Sequence, residues 1–140
     1  MALQDGMVLA LQANSTYKAL VSTNSTVPVG AVKNVSYPMV VYHQGTIQDL
    51  ITTAGSTGNR TARVQFDAYS AKSYTEAKAI AKAIRGVFQN LNNVTLTDSS
   101  STFVQAFFVT QESDLTFIAQ GQLTVEFRVM VEIEVLYKES

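Results

Sequence analysis

From Leu123 to Val135 every odd position is apolar: Leu123, Val125, Phe127, Val129, Val131, Ile133 and Val135. The even positions carry Thr124, Glu126, Arg128, Met130, Glu132 and Glu134. Side chains alternate between faces only in an extended strand, so this segment is a strand with one face for a core and one for solvent or a partner. A chain containing it must supply a sheet to pair it and a layer to cover its apolar face. At about 3.3 Å per residue the segment would run roughly 43 Å, against roughly 17 to 20 Å for an ordinary strand. A small sheet is not expected to cover that length, so part of the strand should bend, project or pair with a neighbouring subunit.

The covering layer is legible farther upstream. Ser73-Tyr74-Thr75-Glu76 is a capping box, in which the Ser73 hydroxyl takes the amide three residues on and Glu76 reaches back to the cap amide. Ala77, Ile80, Ala81, Ile84, Val87, Phe88 and Leu91 come at steps of three and four, while Lys78, Lys82, Arg85 and Gln89 point elsewhere. This is a helix that lays one apolar stripe on a sheet, ended by Asn90, Asn92 and Asn93.

Further strands are read at Tyr37 to His43, after Pro38, and at Arg60 to Tyr69, where Ala62, Val64, Phe66 and Ala68 alternate with polar residues. Others are read at Val94 to Thr97 and at Phe103 to Gln111, the last with apolar residues on both faces, as in a central or doubly covered strand. Gly45 to Gly58 is expected to be a loop, longer than an ordinary hairpin connection, and such a loop is usually functional or disordered. Asp98 to Ser101 is turn-prone. Leu3, Met7, Val8 and Leu11 share one face of a short opening helix, Tyr17 to Val21 adds a turn, and Ser22 to Ser36 is read as an ordered surface crossing.

The expected class is therefore α+β: an antiparallel sheet of about four strands, one main amphipathic helix on one face, and a short N-terminal helix. With 140 residues, 46% hydrophobic and 15% charged, the chain is read as one globular domain, residues 1–36 forming the helix and crossing and 37–136 the sheet-plus-helix core.

Composition removes several function classes. Zero cysteines exclude disulfides, thiolate zinc sites and thiol nucleophiles. A formal charge of -1 gives no bulk attraction to nucleic acid or to an anionic membrane. No stretch approaches the roughly 18 consecutive apolar residues of a membrane-spanning helix, and Met1 to Gly6 lacks the basic start of an export signal. No membrane partner is expected.

The residues that carry site chemistry elsewhere are sparse here. His43 is the only histidine, so a histidine-based site would have to use it, with Asp49 or Asp67 as the orienting carboxylate. No nucleophile elbow accompanies it, and it reads as a surface or strand-edge residue. Glu126, Glu132 and Glu134 are the densest carboxylates, but they lie on one face of a single strand, and a metal needs ligands that converge. Gly55-Ser56-Thr57-Gly58 lacks the following lysine of a phosphate loop and leads into a strand. Arg60, Arg63, Lys72, Lys78, Lys82 and Arg85 make a locally basic segment, read as solvating its elements or contacting an acidic partner surface. No catalytic residue, metal ligand or cofactor is expected.

Tyr37-Pro38-Met39-Val40-Val41-Tyr42, a long variable segment, Arg63-Val64-Gln65-Phe66-Asp67-Ala68-Tyr69-Ser70, then Ser73-x-x-Glu76-Ala77 and Ile80-Ala81-x-x-Ile84-Arg85 succeed one another in an order and spacing that resembles the tail-completion (tail terminator) proteins of long-tailed bacteriophages. The resemblance spans roughly residues 37 to 136; Tyr69 stands where the family often has Trp, and the Ser/Thr/Asn-rich start is long.

It implies a small α+β subunit of a homo-oligomeric ring, commonly a hexamer. Such a ring caps the head-proximal end of the tail tube in the virion, is assembled in the bacterial host cytoplasm, binds the tail tube protein and the head-tail connector proteins, and lets DNA pass without sequence-specific binding. A head-to-tail ring needs two different complementary patches per subunit. Ile47, Asp49, Leu50, Ile51, Arg60 and Arg63 are the candidate interface residues, and Glu126, Glu132 and Glu134 the candidate lumen-facing ones. Another head-tail connector or minor tail subunit shares this logic, and a small enzyme using His43 is the alternative from a different class.

Overall fold

A computed structural model describes residues 2–21, 25–28, 38–52, 55–70, 72–89, 91–95, 103–118 and 125–138. Nine elements are laid out in order: α1 (Ala2–Gln12), α2 (Ser15–Leu20), β1 (Thr26–Pro28), β2 (Met39–Thr52), β3 (Gly55–Ser70), α3 (Tyr74–Gln89), β4 (Asn92–Thr95), β5 (Phe103–Ile118) and β6 (Val125–Lys138). The expected α+β class is found, with six strands rather than about four, in the order β1-β2-β3-β6-β5-β4. Every pairing is antiparallel except that of β1, which runs parallel to β2 inside the segment read as a crossing. Pro28 closes β1 at the sheet's edge, where a missing amide costs no ladder bond.

β6 bears out its alternation. Val129, Val131, Ile133, Val135 and Tyr137 are buried, and the even residues between them lie on the other face. Its length is accommodated differently from the expectation. β3 and β5 are 16 residues each, so β6 is paired on one side from Phe127 to Lys138 and on the other from Val125 to Lys138. Neither projection nor a neighbouring subunit is needed to pair it.

Two further expectations are corrected. Gly45 to Gly58 is not a loop: β2 continues to Thr52 and β3 begins at Gly55, the two meeting at Thr52↔Gly55. A register shift between Gln44 and Ile47 inserts an extra residue into β2 and flips its face, and a second between Asp49 and Ile51 sets extra residues into β3 opposite it; the first erases the period-two signal in β2. β5 likewise runs past Gln111 to Ile118, with shifts between Val104 and Ala106 and between Val109 and Gln111. Its apolar residues fall on both faces because of these bulges rather than because both faces are covered, and Phe108 is 53% exposed. The short strand expected at 94–97 is found over Asn92–Thr95, with 96–97 outside the described residues; Asn93 has φ 53, a left-handed conformation its short polar side chain tolerates. The turn expected at 98–101 lies outside the described residues.

α3 packs its Ala77, Ile80, Ala81, Ile84 and Phe88 stripe onto β3, β6 and β5. Ala62 and Ala68 on β3 and Ala77 and Ala81 on α3 belong to one buried core. Rings bind the layers: Tyr42 to Phe66 at 6.2 Å, Phe66 to Phe88 at 5.8 Å, and Phe88 to Phe107 at 5.0 Å between centroids. Met7, Val8, Leu11, Tyr17 and Val21 extend this core from α1 and α2.

The helix start departs from the expected capping box. Ser73 Oγ accepts the Glu76 amide at 3.1 Å as predicted, but the Glu76 carboxylate accepts the Ser70 hydroxyl at 2.7 Å instead of the cap amide. Ser70 Oγ in turn accepts the amides of Lys72 at 3.1 Å and Ser73 at 3.2 Å. A buried serine at the end of β3 thus closes the box and fixes the strand-to-helix junction.

Candidate functional site

α3 covers one face of the sheet, and the other face is built from rows of side chains set by the register. Val41, Asp67 and Met130 form one row, His43, Gln65 and Glu132 the next, then Arg63, Glu134 and Phe108. The first row is closed: Val41 and Asp67 are each 5% exposed, and Met39 beyond them is also buried. The last row is open, with Arg63 and Phe108 exposed.

Asp67 anchors the closed end. Arg128 Nη2 lies 3.0 Å from its Oδ1, and Gln65 Nε2 donates to both carboxylate oxygens, at 3.0 and 3.2 Å. The Arg128 guanidinium also sits 5.7 Å from the Tyr69 ring centroid, a cation–π distance. A buried carboxylate needs such charge-assisted partners. This cluster is invisible in the sequence, since Asp67 and Arg128 become neighbours only through the β3–β6 register. Because Asp67 is held by Arg128 and Gln65, it is committed structurally and is a poor orienter for His43, which lies half-buried in the adjacent row.

At the open end, Arg63 Nη1 is 3.7 Å from Glu132 Oε1 and its Nη2 is 3.8 Å from Glu134 Oε2. The acidic strip of β6 is thereby partly neutralised by one of the arginines proposed as an interface residue. Thr110 Oγ1 donates to Glu132 Oε1 at 2.9 Å, drawing the same carboxylate toward β5. Glu126 pairs in register with Phe117, and its side chain lies outside the described residues.

The other candidate interface residues lie in the paired arm of β2 and β3. Asp49 and Arg60 face each other across the two strands, and Arg60 is half-buried. Ile47 is half-buried and packs against the core. Leu50 and Ile51 approach the tip of the arm, and the side chains of Asp49, Leu50 and Ile51 are outside the described residues.

On the helix side, Glu112 receives two cations from α3: Arg85 Nη1 at 2.9 Å from Oε2 and Lys78 Nζ at 3.7 Å from Oε1. Two members of the basic segment thus tie α3 to β5, while Lys72 and Lys82 are exposed. Between α2 and α3 lies an open groove of about 420 Å³ walled by Leu20, Lys82, Ala83, Gly86 and Val87. Among the described residues no three His, Asp or Glu converge to hold a metal ion, and no helix is long and apolar enough to cross a membrane.

No family model and no curated protein matches this chain. Among solved structures it is similar in fold to a chain of the virion of a native gene transfer agent particle, with a TM-score of 0.72 at 14% sequence identity. The match covers 98% of this chain and 95% of that one. At that identity the likeness is one of fold, and it extends over practically the whole of both chains.

Proposed function

We propose that this chain is a structural virion protein, the tail terminator subunit whose ring caps the head-proximal end of a phage tail tube, stops tube polymerisation and joins tail to head. The observation that carries the reading is the whole-chain fold likeness to a virion chain of a gene transfer agent particle. The segments that resemble tail-completion proteins agree with it, because they fall on consecutive parts of one structural unit: the start of β2, the second half of β3, and α3. The work of such a subunit is mechanical, and its surfaces serve tail tube protein, connector proteins and further copies of itself rather than a substrate.

In this reading the helix-free sheet face is turned toward the lumen. Glu132 and Glu134 with one Arg63 between them leave that face weakly acidic, so passing DNA is neither held nor strongly repelled. Negative-stain electron microscopy of the purified protein over a concentration series, with mass from light scattering, tests the proposal. Rings with a lumen of about 20 Å or more, the scale set by duplex groove dimensions, that bind isolated tail tubes at one end are the expected result. A stable closed dimer without affinity for tubes overturns it.

A further inference from the structure

Among the described residues the sheet has two bare edges. β1 covers β2 only from Val40 to Tyr42, and β4 covers β5 only as far as Ala106. Beyond those points no strand among the described residues pairs with the outer edge of β2 from His43 to Thr52 or with that of β5 from Phe107 to Glu112. A bare edge is a template for another strand, and monomeric proteins usually guard it with lysine or proline. Neither segment contains Lys, Arg or Pro. Bulges can also discourage pairing, and both edges carry one. They lie at nearly the same height, β2's opposite Arg63 and β5's opposite Ile133 and Glu132, while Arg63 itself pairs with Glu134. Edges that bend at the same height are matched to each other rather than to a flat strand.

Direction makes the match specific. Across the sheet β2, β3, β6 and β5 alternate in sense, so β2 and β5 run oppositely. When a second copy is placed beside the first by rotation about an axis along the strands, its β2 lies antiparallel to the first copy's β5, the commoner kind of pair. The two edges are different surfaces on opposite sides of one subunit, which is what a head-to-tail interface requires.

We infer that the partner of the β5 edge, Phe107 to Glu112, is the β2 edge, His43 to Thr52, of a second copy of this chain, so that each ring is closed by backbone pairing into one continuous sheet. This rests on the ring reading and specifies which surfaces make it. With the two bulges level, Gly45 of one copy lies near Thr110 of the next.

The absence of native cysteine makes the test direct. A Cβ at Gly45 meets only the Arg63 carbonyl at 3.5 Å, an ordinary contact, and Thr110 is exposed, so Gly45→Cys and Thr110→Cys should both fold. Under mild oxidation the full-length double variant should give a ladder of covalent oligomers, while each single variant stays monomeric on a denaturing gel. The pair Thr46→Cys with Phe108→Cys tests the same edges in the register displaced by one residue. A covalent dimer from a single variant signals like edges meeting and overturns the inference. Rings seen by microscopy with no ladder from either pair overturn the edge pairing and leave the ring reading standing. No assembly of the native chain at any concentration, with no crosslink, overturns both.

Discussion

Tyr17 Oη and Thr26 Oγ1 lie 2.6 Å apart in the interior, joining α2 to the edge strand β1. Burial pushes the Tyr17 hydroxyl up from 10.0 to about 12, with the Thr26 hydrogen bond opposing in part. The neutral phenol is therefore favoured by folding. Stability from this group is fully present below pH 10 and is lost as pH rises through about 12. At about 1.4 kcal/mol per pKa unit the loss is on the order of 3 kcal/mol. The difference in urea stability between the native chain and Tyr17→Phe, measured from pH 9 upward, isolates it, because lysine titration is common to both. The native chain should lose stability relative to the variant across this window; parallel curves would refute the assignment.

Ser70 is the junction between β3 and α3, accepting two amides and donating to Glu76. Ser70→Ala leaves those buried groups short of partners and should cost about 1–3 kcal/mol, while Ser73→Ala should cost about 1 kcal/mol as a lost cap. Because both act on one helix start, the double variant should cost less than the sum, measured by denaturant unfolding.

Phe88 is the helix ring in the aromatic series, stacked on Phe66 and tilted against Phe107. Phe88→Ala should destabilise by about 3–5 kcal/mol through lost burial and a residual cavity. Phe108→Ala, on the open face, should change stability by no more than about 0.5 kcal/mol. Thermal unfolding of the two variants separates core from surface phenylalanine.

Gly86 sits inside α3 with nothing within 4 Å of where a Cβ would be. Gly86→Ala should stabilise by up to about 1 kcal/mol, since the native φ suits an ordinary residue and glycine is a poor helix former. A lower Tm for the variant would contradict this packing.

Particular residues show why some of the architecture is legible in the chain and some is not. α3 and β6 are read correctly because their periods, three to four and two, run unbroken, and a period is a local property. β2 beyond His43 reads as a loop, and β5 reads as ending at Gln111, although both strands continue. β2 carries one bulge and β5 two, and each single inserted residue moves its successors to the other face.

The candidate surface divides in the same way. Alternation alone places Glu132 and Glu134 on one strand face, but their engagement by Arg63 depends on β3 lying beside β6 in one particular register. The sequence by itself determined that there would be an amphipathic helix on a sheet, a long central strand and no cysteine chemistry, because composition and periodicity depend only on near neighbours. The tertiary structure decided that Asp67 meets Arg128, that Glu112 gathers Lys78 and Arg85, and that among the described residues two sheet edges stay bare, because strand order and register join residues tens of positions apart through packing that no local pattern encodes.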